Sequence, residues 1–313
     1  MNLAAKKAIK RPKLSNGYSA YDYQRRDAEV VDYKLWRLWT PNTGFAMRGP
    51  KPINLSSGEF YTAIGAADTF GRFVERPYPE LLGEALGISA LNMGFAGVGP
   101  IFFNYPRNKI LLNLINRSKF VTISIMSGRS QPNSLFQVDS HSQVRYRLKS
   151  GEIVPADLAY QQLLDTSDEA TIAAIVAETR EQYLEQFIQL LDSITVPKIL
   201  LWFSRRVPDY TESYDSVLSL LGGFPHLINR TMIDKLQPHC DEYVECVSAV
   251  GLPQQLLNAR TGEPASVVRP RVYVGDRVHM KPSLLSANSY YPSPEMHHAV
   301  VKQLLPVCKR LRA

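Results

Sequence analysis

Hydrophobic and polar positions alternate along the chain in a repeating way, with short apolar runs that end in small residues before stretches of helical spacing. The first such run, Phe60–Ile64, is typical of a central strand that is covered on both faces. Gly65, Ala66 and Ala67 follow it and keep side-chain bulk away from the carboxyl end of the strand. Residues 78–87 then have apolar positions at helical spacing and end at a glycine. We therefore predict a strand, a tight turn and a helix, with a ligand-binding edge at the turn.

The same pattern recurs along the chain and predicts further strands and helices. The predicted strands are Ser89–Gly94, 120–126, Val196–Phe203 and Glu242–Val247. The predicted helices are 100–117, 167–194, 229–236 and 299–310. This alternation predicts a three-layer α/β/α sandwich with a parallel sheet of about five strands.

Small and polar residues cluster where the predicted strands end. The second strand ends at Asn92 and Gly94 and is followed by Gly97, and the turn after the third strand contains Gly128, Arg129, Ser130 and Asn133. Because the carboxyl ends of parallel strands meet at one edge of a sheet, we expect these groups to converge there. Arg205 and Arg206 follow the fourth strand directly and either hold an anion or pin a loop.

Length and composition predict a large folded core. The chain has 313 residues, of which 45% are hydrophobic. We expect a basic tail over 1–20 and one α/β domain over 21–313, with an N-terminal wrap (21–57) and insertions at 134–166 and 250–290. The net charge of +7 owes much to the tail, which is either a nucleic-acid or membrane-surface arm or a solvated terminus. Nothing after the tail resembles a nucleic-acid module, so no nucleic-acid partner is expected.

The compartment is predicted from what the sequence lacks. No apolar run is long enough to span a membrane, and the N-terminus has no apolar centre typical of a secretory signal. The three cysteines show no paired metal-ligand spacing and are interpreted as free thiols. These features favour a cytoplasmic protein without a metal site.

Four blocks occur in a fixed order: Gly65-Ala66-Ala67-Asp68-Thr69-Phe70-Gly71, Asn92-Met93-Gly94-Phe95-Ala96-Gly97, Gly128-Arg129-Ser130-Gln131 and Glu295-Met296-His297-His298. Their order resembles the SGNH hydrolases, also called GDSL esterases. The stretches Thr69–Glu75, 125–136 and Leu200–Phe203 resemble more closely a bacterial SGNH-like family of unknown function. The resemblance implies a flavodoxin-like fold. It also implies a catalytic serine, a histidine base and an oxyanion site of backbone N–H groups and an asparagine.

Two positions depart from what the resemblance implies. Ala67 stands at the position of the nucleophilic serine, and its methyl group cannot attack a carbonyl. Ser130 stands at the position of the oxyanion-site asparagine, for which Asn133 is a possible substitute. An acyl-enzyme formed at residue 67 is therefore excluded by this alignment.

The remaining groups suit direct group transfer. In this hypothesis His297 or His298 is the general base and Glu295 orients it. Asp68 is the catalytic carboxylate or a helix cap, and Thr69 either bonds the turn backbone or takes part in the attack. The donor, held by Arg72, Arg129, Arg205 or Arg206, is a coenzyme A thioester or a nucleotide-activated sulfuryl or phosphoryl compound. The acceptor is a hydroxyl of a saccharide or of a secondary metabolite. An esterase with a different nucleophile and a non-catalytic carbohydrate- or partner-binding protein remain as alternatives, and the oligomeric state is open.

Overall fold

The computed structural model of the chain describes residues 20–39, 44–139, 142–269, 272–274 and 277–312. The predicted basic tail lies outside these ranges except for Ala20, which begins the first helix.

A five-stranded parallel sheet forms the centre of the molecule. Its strands are β1 (Phe60–Gly65), β2 (Ser89–Gly94), β3 (Val121–Ser124), β4 (Lys198–Ser204) and β5 (Glu242–Val247). They lie side by side in the order β5-β4-β3-β1-β2, and every neighbouring pair is parallel. The strand order 2-1-3-4-5 is that of the flavodoxin-like doubly wound sheet, and the predicted fold class is confirmed.

Ten helices accompany this sheet in the described ranges. They are α1 (Ala20–Asp27), α2 (Ala67–Phe70), α3 (Tyr78–Leu86), α4 (Pro100–Asn104), α5 (Lys109–Ile115), α6 (Ala156–Thr166), α7 (Glu169–Ser193), α8 (Val217–Leu221), α9 (Arg230–Leu236) and α10 (Pro294–Arg312). Three short 3-10 turns lie at Pro106–Asn108, Gly128–Ser130 and Gln237–His239.

The alternation within β1 explains the three layers. Phe60 and Ile64 point into a core shared with α4, α5, α7 and α9, whereas Tyr61 and Ala63 point into a second core shared with α3 and α10. Because successive side chains of a strand face opposite sides of the sheet, a nearly continuous apolar run must be covered twice. The sandwich is therefore encoded by the composition of its central strand.

Two of the predicted helices differ from the observed ones. The predicted helix 100–117 is broken into α4 and α5, because Tyr105 is extended and Pro106 begins a 3-10 turn. The last helix begins at Pro294 rather than at residue 299. Proline suits a first turn, since its missing N–H has no helical partner there.

Short antiparallel strands form small sheets in addition to the central one. Trp36–Trp39 pairs with Gly44–Met47, Ser142–Arg147 pairs with both Gln137–Asp139 and Ile153–Pro155, Gln254–Gln255 pairs with Ala287–Asn288, Val267–Arg269 pairs with Ser283–Leu285, and Val272–Val274 pairs with Arg277–Met280. In the part of the chain that the structure describes, no helix combines the length and apolar character needed to cross a membrane.

Candidate functional site

A cleft of about 470 Å³ lies at the carboxyl edge of the sheet. Residues that follow three neighbouring strands line it: Ala67 and Asp68 after β1, Gly97 after β2, and Ser127 and Arg129 after β3. Pro155–Asp157 and the segment 288–292 form further walls. This is the edge at which open α/β sheets bind ligands.

Ala67 borders the cleft as the first residue of α2, so the position of the expected nucleophile carries only a methyl group. Thr69 points away into the core, where its Oγ1 lies at hydrogen-bond distance, 2.9 Å, from the Oγ of Ser124. Thr69 therefore bonds buried neighbours and does not line the cleft.

Asp68 is a nearly buried carboxyl group beside Ala67. Only 3% of Asp68 is exposed, and burial raises the pKa of its carboxyl to about 6. Its Oδ2 accepts a hydrogen bond of 3.3 Å from the Oγ1 of Thr69, whereas its Oδ1 has no hydrogen-bond partner among the described residues.

Gly65, Gly94 and Asn92 fix the turn rather than line the cleft. A Cβ at Gly65 would overlap the side chain of Thr69, and a Cβ at Gly94 would overlap the backbone nitrogen of Phe70. Asn92 donates to the carbonyl of Thr69 at 2.9 Å and accepts from the N–H of Gly94 at 2.8 Å. The glycines thus permit a close approach of β1, β2 and α2.

Ser127 and His226 form a serine–histidine pair at the border of the cleft, and the sequence pattern did not predict this pair. The Oγ of Ser127 lies 3.1 Å from the Nδ1 of His226, and both residues line the cavity. The N–H of Gly128 donates to the carbonyl of His226 at 2.9 Å, which holds the two loops together. His226 follows Pro225 in an aperiodic loop, so its spacing from Ser127 carries no signal in the sequence.

His226 is held in its neutral form. Burial, and then the nearby charges of Arg129 and Arg206, lower the pKa of its imidazole well below the ordinary value. In the neutral tautomer that carries its proton on Nε2, the Nδ1 of His226 accepts a hydrogen bond from the hydroxyl of Ser127.

The structure does not bring His297, His298 or Glu295 to the cleft. His297 is fully buried beside Phe203, and its Nδ1 accepts from the backbone N–H of Tyr78 at 3.0 Å. His298 and Glu295 are exposed on the first turns of α10. The part of the chain before α10 that does line the cleft is the segment 288–292.

Arg72 lines the cleft, but two of its guanidinium nitrogens bind Asp27, at 2.9 Å and 3.1 Å. Its Nη1 donates to the Oη of Tyr291 at 3.1 Å. Arg72 therefore joins α1, the loop after α2 and the segment before α10 into one wall.

Arg129 also lines the cleft and forms an ion pair with Asp157 at the start of α6. Its Nε is buried and has no partner within the described ranges. Asn133 is engaged elsewhere: its amide donates to Thr179 at 3.0 Å, and its Oδ1 accepts from two backbone N–H groups. Ser130 lies in the 3-10 turn after β3.

Arg206 organises the loop that carries His226. Its guanidinium donates to the carbonyls of Gly223, Pro225 and Ile228 and stacks on Trp202 and Tyr210. Arg205 donates to the carbonyl of Ser289 at 2.6 Å. Both arginines thus fix loops at the edge of the cleft. In the described residues, no group of three or more histidine, cysteine, aspartate or glutamate side chains is arranged to hold a metal ion.

Strand order and cleft position define a flavodoxin-like α/β protein with its candidate site at the carboxyl edge of the sheet. The family described as "Domain of unknown function (DUF6473)" matches residues 21–149 and 161–312, and the chain belongs to this family.

Solved structures of similar architecture share 12% sequence identity with the chain. They include LAE5, an alpha/beta hydrolase enzyme from the metagenome of Lake Arreo, Spain (TM-score 0.38, covering 82% of this chain and 98% of that chain). A candidate SGNH hydrolase from Slackia heliotrinireducens has a TM-score of 0.38 and covers 80% of this chain and 100% of that chain. A protein from Lactobacillus plantarum has a TM-score of 0.40 and covers 82% and 99%. No curated protein matches the sequence significantly.

Proposed function

We propose that the chain catalyses acyl transfer or ester hydrolysis in this cleft, with Ser127 as the nucleophile and His226 as its general base. The observation that carries the proposal is the 3.1 Å contact between the Ser127 Oγ and the His226 Nδ1 at the edge where ligands bind. A serine hydroxyl is a weak nucleophile alone and is activated by an adjacent base within hydrogen-bond reach. The pair supplies the serine that position 67 lacks.

The reaction proceeds in two balanced steps. The Oγ of Ser127 attacks the carbonyl carbon of an ester or thioester while its proton passes to the Nδ1 of His226. Collapse of the tetrahedral intermediate breaks the bond to the leaving group, which takes that proton. Water or an acceptor hydroxyl then attacks the acyl-serine by the same route and regenerates Ser127.

The low basicity of His226 favours substrates that place negative charge near its imidazole during the reaction. Arg129 and Arg206 disfavour the imidazolium that forms when Ser127 is deprotonated. Negative charge that develops on the tetrahedral oxygen offsets this cost, because unlike charges in a buried site stabilise each other. The arginines that line the cleft, Arg26, Arg72, Arg129 and Arg269, favour a donor that carries an anionic group, such as a coenzyme A thioester.

Direct transfer to an acceptor hydroxyl is the second candidate. In this mechanism His226 deprotonates the acceptor hydroxyl, and no covalent intermediate forms. His226 then has the role that the sequence predicted for His297 or His298. The observation that favours it is Ala67, since the first strand ends without a nucleophile.

Labelling with a fluorophosphonate probe distinguishes these candidates. The probe forms a Ser–O–P bond with release of fluoride, and peptide mass spectrometry identifies the modified residue. We expect one adduct, on Ser127, which is lost in Ser127→Ala and strongly reduced in His226→Gln. Ser289→Ala is the matched control, because Ser289 also lines the cleft but its hydroxyl has no histidine partner among the described residues.

Two results would contradict the serine mechanism. An adduct on another residue would remove Ser127 from the proposed role. If no adduct forms, yet acetyl transfer from acetyl coenzyme A to a sugar is abolished by His226→Gln, direct transfer replaces it.

A further inference from the structure

The Oδ1 atom of Asp68 is an acceptor without a donor in the described part of the chain. Only 3% of Asp68 is exposed, and it lines the cleft together with the small residues Ala67 and Gly97. Leaving a buried acceptor unpaired typically costs about 1–3 kcal/mol, and more for a charged group. A donor supplied by a ligand in the cleft would remove this cost.

The surroundings of Asp68 decide what kind of donor fits. Four arginines line the same cleft, namely Arg26, Arg72, Arg129 and Arg269. They outnumber the carboxylates of Asp68, Asp157 and the Arg72 partner Asp27, and this excess of positive charge disfavours an ammonium ligand. A hydroxyl donates to a carboxylate without adding positive charge. Tyr23, Tyr290 and Tyr291 add rings with polar tips to the wall, and the cavity of about 470 Å³ lies within the usual range for small-molecule sites.

We infer that Asp68 is a specificity-determining residue whose Oδ1 accepts a hydrogen bond from a hydroxyl of a saccharide bound in the cleft. The inference deepens the proposed function, since the saccharide would be the acyl acceptor or the alcohol part of the ester. The contact of Oδ2 with Thr69 restrains the carboxyl group and leaves Oδ1 without a donor among the described residues. In this case the small side chains of Ala66 and Ala67, where the resemblance implies a serine at position 67, make space for the sugar next to Asp68.

Saturation-transfer difference NMR tests this inference with methyl glycosides of the common hexoses, pentoses and uronic acids. We expect at least one glycoside to bind the wild-type protein with millimolar affinity. Asp68→Ala should weaken that binding at least about tenfold, because a hydrogen bond to a charged group contributes roughly 1.5–3 kcal/mol. Asp68→Asn keeps one oxygen acceptor and should lose less.

Asp165→Asn is the control, because Asp165 is exposed on α6 and does not line the cleft. Its binding should stay within about twofold of the wild type. The inference is overturned if no glycoside binds, if Asp68→Ala binds as well as the wild type while circular dichroism shows it folded, or if Asp165→Asn has the larger effect. Fluorophosphonate labelling of Ser127 needs no sugar, so it reports on the proposed mechanism separately.

Discussion

The Nδ1 of His297 accepts a hydrogen bond of 3.0 Å from the backbone N–H of Tyr78, which joins the first turn of α10 to the first turn of α3. An imidazole that accepts at Nδ1 carries its proton on Nε2, and this atom has no partner in the described residues. Burial, and then the charges of Arg48 and His298, lower the pKa of His297 to about 3. His297 is therefore a neutral acceptor within the core at pH 7.

This contact predicts that His297 supports the fold more than the chemistry. His297→Ala should lower the free energy of unfolding by about 2–4 kcal/mol, because it opens a cavity and leaves the Tyr78 N–H unpaired. His297→Asn can keep an acceptor near the Nδ1 position and should lose less. Urea unfolding at pH 7 measures both. If folded His297→Asn loses fluorophosphonate labelling while its stability is unchanged, the catalytic role predicted from the sequence would stand instead.

From the raised pKa of the Asp68 carboxyl, we predict that this residue makes the protein less stable as the pH rises. Its folded pKa of about 6 lies above the unfolded value of 3.8, so the folded state binds more protons between these values. The contribution of Asp68 therefore favours folding below about pH 4 and is lost as pH rises through 6. Each pKa unit is worth about 1.4 kcal/mol, so the ionised carboxyl costs the folded state roughly 3 kcal/mol at pH 7.5.

Asp68→Asn removes this titration. The variant should be more stable than the wild type at pH 7.5, by up to about 3 kcal/mol, and should lose that advantage near pH 4. Chemical unfolding at the two pH values measures the difference. Asp165→Asn, an exposed change on α6, should show no such pH-dependent gain. Equal stability of Asp68→Asn and the wild type at both pH values would show that the carboxyl is not desolvated.

The architecture was predictable because the sheet strands are short apolar runs bounded by glycines and polar turns. The predicted Glu242–Val247 and Ser89–Gly94 coincide with β5 and β2. The helix 100–117 was predicted too long, since periodicity alone does not register the break at Tyr105 and Pro106. Local backbone chemistry overrides the apolar stripe there.

The site was harder to predict, because its residues come together only in three dimensions. Gly94 and Asn92 have the composition of a ligand-binding turn, yet close packing of β2 on α2 accounts for both. His226 lies 99 residues from Ser127 in a loop without periodicity. Its one signal in the sequence is a lone histidine after proline in a glycine-containing loop, which is too common to assign a role.

The buried ion pair of Arg72 and Asp27 predicts a large effect of a small change. The side chain of Asp27 is fully buried, and it accepts from Arg72 at 2.9 Å and from the Oη of Tyr33 at 2.8 Å. Asp27→Asn leaves the guanidinium without its counter-ion and should cost about 3–5 kcal/mol. Asp22→Asn breaks an exposed pair with Arg25 and should cost under about 1 kcal/mol. Thermal and urea unfolding compare the two, and similar small losses would mean that Arg72 finds water or another partner.

Arg206 does not line the cleft, but we predict that it positions the loop that carries His226. Its guanidinium binds three carbonyls that flank His226, and lysine has neither the planar fork nor enough donors to replace it. Arg206→Lys should therefore let the loop move and reduce the rate of Ser127 labelling by about tenfold or more, since small displacements of a base are costly. Arg205→Lys is the matched control, because Arg205 makes a single backbone contact with Ser289, and it should label at nearly the wild-type rate.

Labelling rates from stopped time courses, with circular dichroism to check folding, measure the effect. Loss of His226 positioning should also lower the rate at every pH from 6 to 8, whereas a change confined to the basicity of His226 would alter the shape of the profile. Equal labelling by the two lysine variants would mean that the loop keeps His226 in place without Arg206.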